Sequence, residues 1–306
     1  MAKKIVMVCV MALLLPYIIT PAWTGRIEEK KEVPLITSGK KVILDRKNGE
    51  SYMDVEEYLP GVVAKQMPAE YGKEALRAQA IIARTFIYQK MNGENEVKES
   101  ELHMEYLEEK QMEAMWGSES FVTYFQAVEE AVRSTAGRVI TCDGKFIEPL
   151  FHRASTGMTR SGDESHPYLQ AVASKRDVEA EGYLTMMVWS KEEFAGRINQ
   201  IAGSVPVDAG QLPQSIQMIV RDDGGYVGQI QIGTKVYTGE EVQYALGLPS
   251  PSYTLEEYDG GIRAVCQGVG HGYGLSQYGA KCMAEEGKTA EEILDYFYKN
   301  IVLISE

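Results

Sequence analysis

Cysteine is scarce in these 306 residues: there are four, Cys9, Cys142, Cys266 and Cys282, and no C-x-x-C pair. That excludes a disulfide scaffold and a thiolate zinc ribbon. Positive charge is also short. Lys and Arg number 31 against 44 Asp and Glu, a net charge of −13, and a field of that sign repels polyanions, so nucleic acid is not a partner. No P-loop lysine and no strand-turn-helix dinucleotide fingerprint occurs, so no nucleotide cofactor is called for. Internal repeats are absent as well.

What is present begins with an apolar run. Lys3 and Lys4 precede Ile5 to Trp23, a stretch of roughly 28 Å at about 1.5 Å per residue, enough to span a hydrocarbon core of about 30 Å. It reads as a signal peptide or an anchor. The lack of a clean small-x-small cleavage site around Thr20 to Ala22, and an interfacial Trp23, favour a retained anchor over residues 1–24. The chain is then expected to be a single-pass membrane protein with everything after the anchor outside the cytoplasm. Residues 25–40, with Glu28, Glu29, Lys30, Lys31 and Glu32 together, read as a polar stalk. Export leaves Cys142, Cys266 and Cys282; Cys266 and Cys282 flank a glycine-rich motif and are open to pairing, the alternative being three buried thiols.

The folded part is expected over residues 41–306. Lys41 to Asp45 is a strand candidate, and Asn48-Gly49 is a turn signal leading to Ser51–Asp54. Val55 to Lys65 has helical spacing, interrupted by Pro60-Gly61. The strongest helix pattern runs from Glu70 to Met91, with Ala75, Leu76, Ala78, Gln79, Ile82, Ala83, Phe86 and Ile87 on one face. Further helices are predicted over 121–135, 190–201 and 289–298, the last capped by Thr289 with Glu292 three residues on. Asp143-Gly144 predicts a hairpin. Strands are read at 216–220, 226–232 and 235–237. Hairpins and helices without regular βα alternation give an α+β class.

Two segments stand out for chemistry. Phe151-His152-Arg153-Ala154-Ser155-Thr156 enters a loop straight after a strand, where function often sits. Gly268 to Ala280 places alternate glycines around His271, followed by Tyr273, Ser276, Gln277 and Tyr278. Close backbone approach, aromatic faces and short polar side chains suit a sugar. His152, His166 and His271 match no metal-ligand spacing, so no metal is assigned.

The Met67-Pro68 followed by Glu74-Ala75-Leu76-Arg77-Ala78-Gln79-Ala80 and Ala83-Arg84-Thr85, together with Gly270-His271-Gly272-x-Gly274-x-Ser276-Gln277-Tyr278-Gly279-Ala280, resembles the stage II sporulation protein D family, also called the amidase-enhancer family. The likeness runs from about Val42 to the C-terminus. It implies an outward-facing, membrane-anchored sporulation protein that acts on peptidoglycan during engulfment. It further implies lytic transglycosylase activity on peptide-stripped glycan strands, beside a partner cell-wall amidase and a membrane protein of the engulfment complex. It places the catalytic acid immediately before Met-Pro, where this chain has Gln66, and an activity-linked arginine at Arg84.

An amide cannot donate a proton to a glycosidic oxygen, and general acid–base catalysis contributes about 10²–10⁴-fold. Glu70 is the nearest substitute acid. Two readings follow: a transglycosylase using Glu70, or a glycan-binding module that recruits or stimulates an amidase. In either, the expected substrate-binding set is His152, Ser155, Thr156, His271, Tyr273, Ser276, Gln277 and Tyr278, with Arg84 available for a muramic lactyl carboxylate.

Overall fold

The computed structural model describes residues 37–46 and 49–306. The expected anchor, the stalk up to residue 36 and Asn48 of the first turn signal lie outside the described residues. Among the described residues no helix is long and apolar enough to cross a membrane.

The chain forms β1 (Lys41–Arg46) and β2 (Gly49–Asp54), then helix α1 (Val55–Gln66), a 3₁₀ turn at Ala69–Tyr71 and α2 (Lys73–Met91). After β3 (Glu96–Lys98) come α3 (Glu99–Leu102) and the long α4 (Glu109–Arg133), kinked at Gly117. The strands β4 (Arg138–Cys142), β5 (Lys145–Phe146) and β6 (Phe151–His152) follow. A second group holds β7 (Leu184–Trp189), α5 (Lys191–Ile198), β8 (Ile216–Arg221), β9 (Val227–Ile232), β10 (Lys235–Thr238), α6 (Gly239–Leu246), β11 (Tyr253–Tyr258) and β12 (Gly261–Gln267). The chain then returns through β13 (Leu275–Ser276), α7 (Gln277–Glu285), α8 (Ala290–Phe297) and β14 (Val302–Ser305).

Helix α1 starts because Asp54 caps it, accepting the Glu56 N–H at 2.9 Å. Pro60 does not break it. Gly61 is required instead by packing, since a Cβ there would run into the Tyr106 ring. The helix ends at Gln66 because Met67 precedes a proline and is driven to extended backbone, φ −133° and ψ 136°. The next helix begins at Lys73 and not at Glu70 as the spacing predicts: Gly72 sits at φ 90° and separates it from the 3₁₀ turn that carries Glu70. Helix α2 is buried nearly all round, not on one face alone, and its alanines allow that close packing.

Short sheets surround the helices. β2-β1-β3, β10-β9-β8, β11-β12-β7 and β14-β4-β5 are antiparallel apart from the parallel β1–β3 pair, and β6 lies parallel to β13. The α+β class is what the structure has. One apolar core gathers around α1, α2 and α8, and a second, from Trp189 to Cys266, lies within the segment between β6 and β13. Cys142, Cys266 and Cys282 are free thiols, so Cys266 and Cys282 are not paired; burial pushes the Cys266 thiol up to about 11.

Candidate functional site: an amide relay at a helix end

Gln66 is the last residue of α1, half-buried, at a helix end whose partial negative charge disfavours an anion. Its side-chain oxygen accepts from Gln79 Nε2 at 2.7 Å. Gln79 Oε1 in turn accepts from Gln277 Nε2 at 3.2 Å, and the same Gln277 nitrogen reaches the Gln66 carbonyl at 2.8 Å. Three amides from α1, α2 and α7 therefore form one directed relay. Among the described residues none accepts from Gln66 Nε2, which leaves that N–H₂ for a ligand oxygen. Gln79 is fully buried, and its place on the apolar face of α2 hid it from spacing analysis.

Aromatic rings stand beside the relay. Tyr278 follows Gln277 and meets Tyr71 edge-on at 6.2 Å. Burial pushes the Tyr71 hydroxyl up, opposed by the charges of Arg153 and Lys281 and assisted by Glu70. Glu70 itself is exposed on the 3₁₀ turn.

Several predicted ligand contacts prove to be internal supports. Ser155 and Ser276 are fully buried and both serve Asp177. One oxygen of Asp177 takes the Ser155 N–H at 2.7 Å and its hydroxyl at 2.5 Å; the other takes Ser174 at 2.8 Å and Ser276 at 2.9 Å. This carboxyl ties together three separate segments, two of them loops and the third β13. Burial raises its pKa, and the serine hydrogen bonds pull the other way. Thr156 is half-buried; its hydroxyl donates to the Gly224 carbonyl at 2.6 Å and its N–H to Tyr226 Oη at 3.2 Å.

His152 and His271 sit with ring centroids 5.9 Å apart. His152 Nδ1 lies 3.0 Å from the Tyr273 carbonyl, which makes it the protonated nitrogen, and the buried Nε2 has no partner. Burial, with the neighbouring His271, lowers its pKa to about 3. The pKa of His271 is lowered for the same reason, with Arg160 adding to the effect. His166 stands apart, against Asp163 and Glu148. Tyr273 lies under the Arg160 guanidinium at 4.5 Å.

Arg84 is corrected most sharply. It is fully buried and bound through Nε and Nη2 to both oxygens of Glu56, at 2.7 Å each, with Nη1 and Nη2 also reaching the Arg138 and Val132 carbonyls at 3.2 Å. It is a structural ion pair and offers no donor to a glycan. Glu74, on the same helix, pairs with Arg77.

The alternate glycines also face inward. Gly272, at φ 85°, would drive a Cβ into the Tyr226 ring, and Gly274, at φ 69°, into the Leu150 carbonyl. The close approach they permit is that of the protein to itself.

Comparison with known proteins adds three findings. A family model described as "Stage II sporulation protein" matches residues 47–142. Stage II sporulation protein D of Bacillus amyloliquefaciens is 33% identical over 260 residues, 81% of this chain and 73% of that protein; its counterpart in Bacillus subtilis (strain 168) is 32% identical over 80% and 73%. The amidase enhancer of Bacillus subtilis (strain 168) is 25% identical over 81% of this chain and 40% of its own length.

Proposed function

Because this chain belongs to the stage II sporulation protein D family, we propose that it binds peptidoglycan glycan strands at the Gln66 end of α1 during cell-wall remodelling in sporulation, without cleaving them. The observation that carries this reading is the amide relay. Glycan cleavage needs a carboxylic acid at the glycosidic oxygen, and the side chains in hydrogen-bond contact with Gln66 are amides only. The free Gln66 N–H₂ and the Tyr71 and Tyr278 rings can still hold a sugar.

The competing reading, cleavage with Glu70 as the acid, draws on its exposed place four residues away. The two separate in one experiment. Amidase-treated peptidoglycan is incubated with the wild-type chain and with Gln66→Glu, and anhydromuramic ends are sought by mass spectrometry. Glutamate has the shape of glutamine, and its carboxylate keeps the hydrogen bond from Gln79 Nε2. The helix end favours its protonated form. The expected result is product from Gln66→Glu alone, exceeding wild type by about 10²-fold or more. Product from wild type, lost in Glu70→Gln, would overturn the binding reading.

The same proposal has residues 1–24 hold the protein at the membrane and a cell-wall amidase as its partner, supported by the apolar run and by likeness to a protein named amidase enhancer. Fractionation should recover the chain with membranes, and the amidase should co-purify with it. A chain found in the soluble fraction, or free of amidase, counts against that part.

A further inference from the structure

One strand of the second group presents a bare edge. β7 lies at the margin of the β11-β12-β7 sheet, in unbroken antiparallel register with β12. Its six residues, Leu184 to Trp189, hold no charge, no proline and no bulge. The other six-residue edge strands are blunted, as edges commonly are: β2 carries Glu50 and Asp54, β11 carries Glu256 and Glu257, and β8 is interrupted by register shifts at Val220 and ends in Arg221. The Gly268 N–H donates to the Tyr183 carbonyl at 2.8 Å. Antiparallel alternation from there turns the backbone groups of Thr185, Met187 and Trp189 to β12 and those of Leu184, Met186 and Val188 outward. Among the described residues no hydrogen bond reaches those outward groups. The same three residues carry large apolar side chains that are 55%, 60% and 53% exposed. Opposite charges flank the strand: Glu181, 93% exposed and 3.5 Å from Arg153, precedes it, and Lys191, bonded to Glu257 at 3.1 Å, follows it.

We propose that β7 is a dimerisation edge, on which a second copy of this chain adds its own β7 antiparallel about a two-fold axis through Met186. Parity fixes that axis. Outward backbone groups must meet outward ones, and residues directly opposite each other in an antiparallel pair share a sheet face. Leu184 then lies opposite Val188 of the second copy, and Met186 opposite its own counterpart. A shift of two residues leaves an outward group of each strand without a partner. In this register every exposed apolar side chain of the strand gains an apolar cross-strand neighbour. The antiparallel sense also brings Glu181 of one copy toward Lys191 of the other, where a parallel addition sets like charges together. In a chain of net charge −13, self-repulsion keeps copies apart over most of the surface, and an uncharged edge with opposite charges at its ends is where one approaches another. This self-complementarity favours a second copy over a foreign strand. The contact joins two three-stranded sheets into one and closes on itself, because the edges that remain are β11 of each copy, with Glu256 and Glu257 on them.

The test uses the full chain in detergent, with Cys9→Ser and Cys142→Ser to clear the background for cross-linking; Cys266 and Cys282 are buried. In the proposed register a cysteine in place of Met186 faces its counterpart with Cα atoms about 5.5 Å apart, within disulfide reach. One in place of Leu184 is displaced about 13 Å along the strand from its counterpart. Met186→Cys is therefore expected to give covalent dimers on mild oxidation, Leu184→Cys about tenfold less of them, and Leu184→Cys combined with Val188→Cys to restore them. The wild-type chain should sediment as one chain when dilute and as two when concentrated. Met186→Lys, which sets two ammonium groups opposite each other, should move that midpoint up by about tenfold or more with an unchanged melting curve. A wild-type chain that stays single at every concentration, equal cross-linking from Leu184→Cys and Met186→Cys, or Met186→Cys joined to a foreign protein instead of to itself would each overturn the dimer. The wild-type sedimentation needs no variant, so misfolding of a variant would not spare the proposal. Glycan binding at Gln66 is untouched by either result.

Discussion

At the scale of the residue, burial decides what a charged or polar group can do. The Arg84 guanidinium is fully enclosed, and its fork meets both oxygens of Glu56, which also accepts the Gly137 N–H at 3.2 Å. Breaking such a pair leaves one charge buried without a partner, which costs about 3–5 kcal/mol. Arg84→Ala should therefore lower unfolding stability by about that much, measured as a shift in urea midpoint. Glu56→Leu with Arg84→Met should recover most of the loss, since an apolar pair of similar volume leaves no orphaned charge. An unchanged midpoint in Arg84→Ala would refute the structural role. The position of Arg84 was readable in the sequence, but its partner was not, because Glu56 lies on a different helix and no local spacing relates them. Gln66 and Gln277 were readable as site residues for their motifs. Gln79 was concealed among the apolar positions of α2, and Asp177 gains its meaning only when Ser155, Ser174 and Ser276 converge on it.

At the scale of the element, local chemistry was legible and long-range pairing was not. Asp143-Gly144 predicts a hairpin and makes one, with φ of 50° and 75° at the two positions. Thr289 and Glu292 form the predicted capping box. Helix α1 ends where Met67 meets Pro68, and this places Gln66 at the helix terminus, where its side chain meets Gln79 of α2 and its carbonyl accepts from Gln277 of α7. Helix α2 starts later than its periodicity predicts: a proline, a 3₁₀ turn and Gly72 at positive φ together open a corner between α1 and α2 that periodicity cannot register. That corner separates Glu70 from the helical stack and leaves it in solvent. The glycine-rich segment had a clear signal and an incomplete meaning. Alternation indicates that something approaches the backbone, but whether it is ligand or protein depends on β6 pairing with β13, Phe151 beside Leu275, across the whole second core. Two-residue strands joined over that distance carry no periodic signature.

At the scale of the whole molecule, α+β composition was apparent, whereas the division into two apolar cores was not, because Ile, Val and Tyr are distributed evenly through both. The second core joins the first through Arg160, which lies between the Tyr226 and Tyr273 rings at 5.0 and 4.5 Å and bonds Asp222 at 2.9 Å and Glu240 at 2.7 Å. Tyr273 also supplies the carbonyl that orients His152, so the histidine pair sits where the two cores meet. This gives the fold a pH response. His152 has a folded pKa of about 3, well below the ordinary histidine value, because a proton on its enclosed Nε2 would be an unpaired charge beside His271. A lowered folded pKa means that the unfolded chain binds the extra proton. Stability from this group is thus complete above about pH 6.5 and falls as pH drops from there toward 3. His271 is lowered too and acts in the same direction. Asp177 works oppositely: with its pKa raised, it contributes stability below the ordinary carboxyl range, which fades as pH rises through its folded value. His166, whose pKa is raised by its hydrogen bond to Asp163, also works oppositely, so the response of His152 is read from its own variant: between pH 7.5 and 5.5 His152 alone should account for a loss of about 1.4 kcal/mol. Urea unfolding across that range, on the wild type and on His152→Phe, measures it. The variant gives up the bond to the Tyr273 carbonyl and should be less stable at every pH, yet its curve should be flatter. Parallel curves would show that protonation of His152 is not what the junction resists.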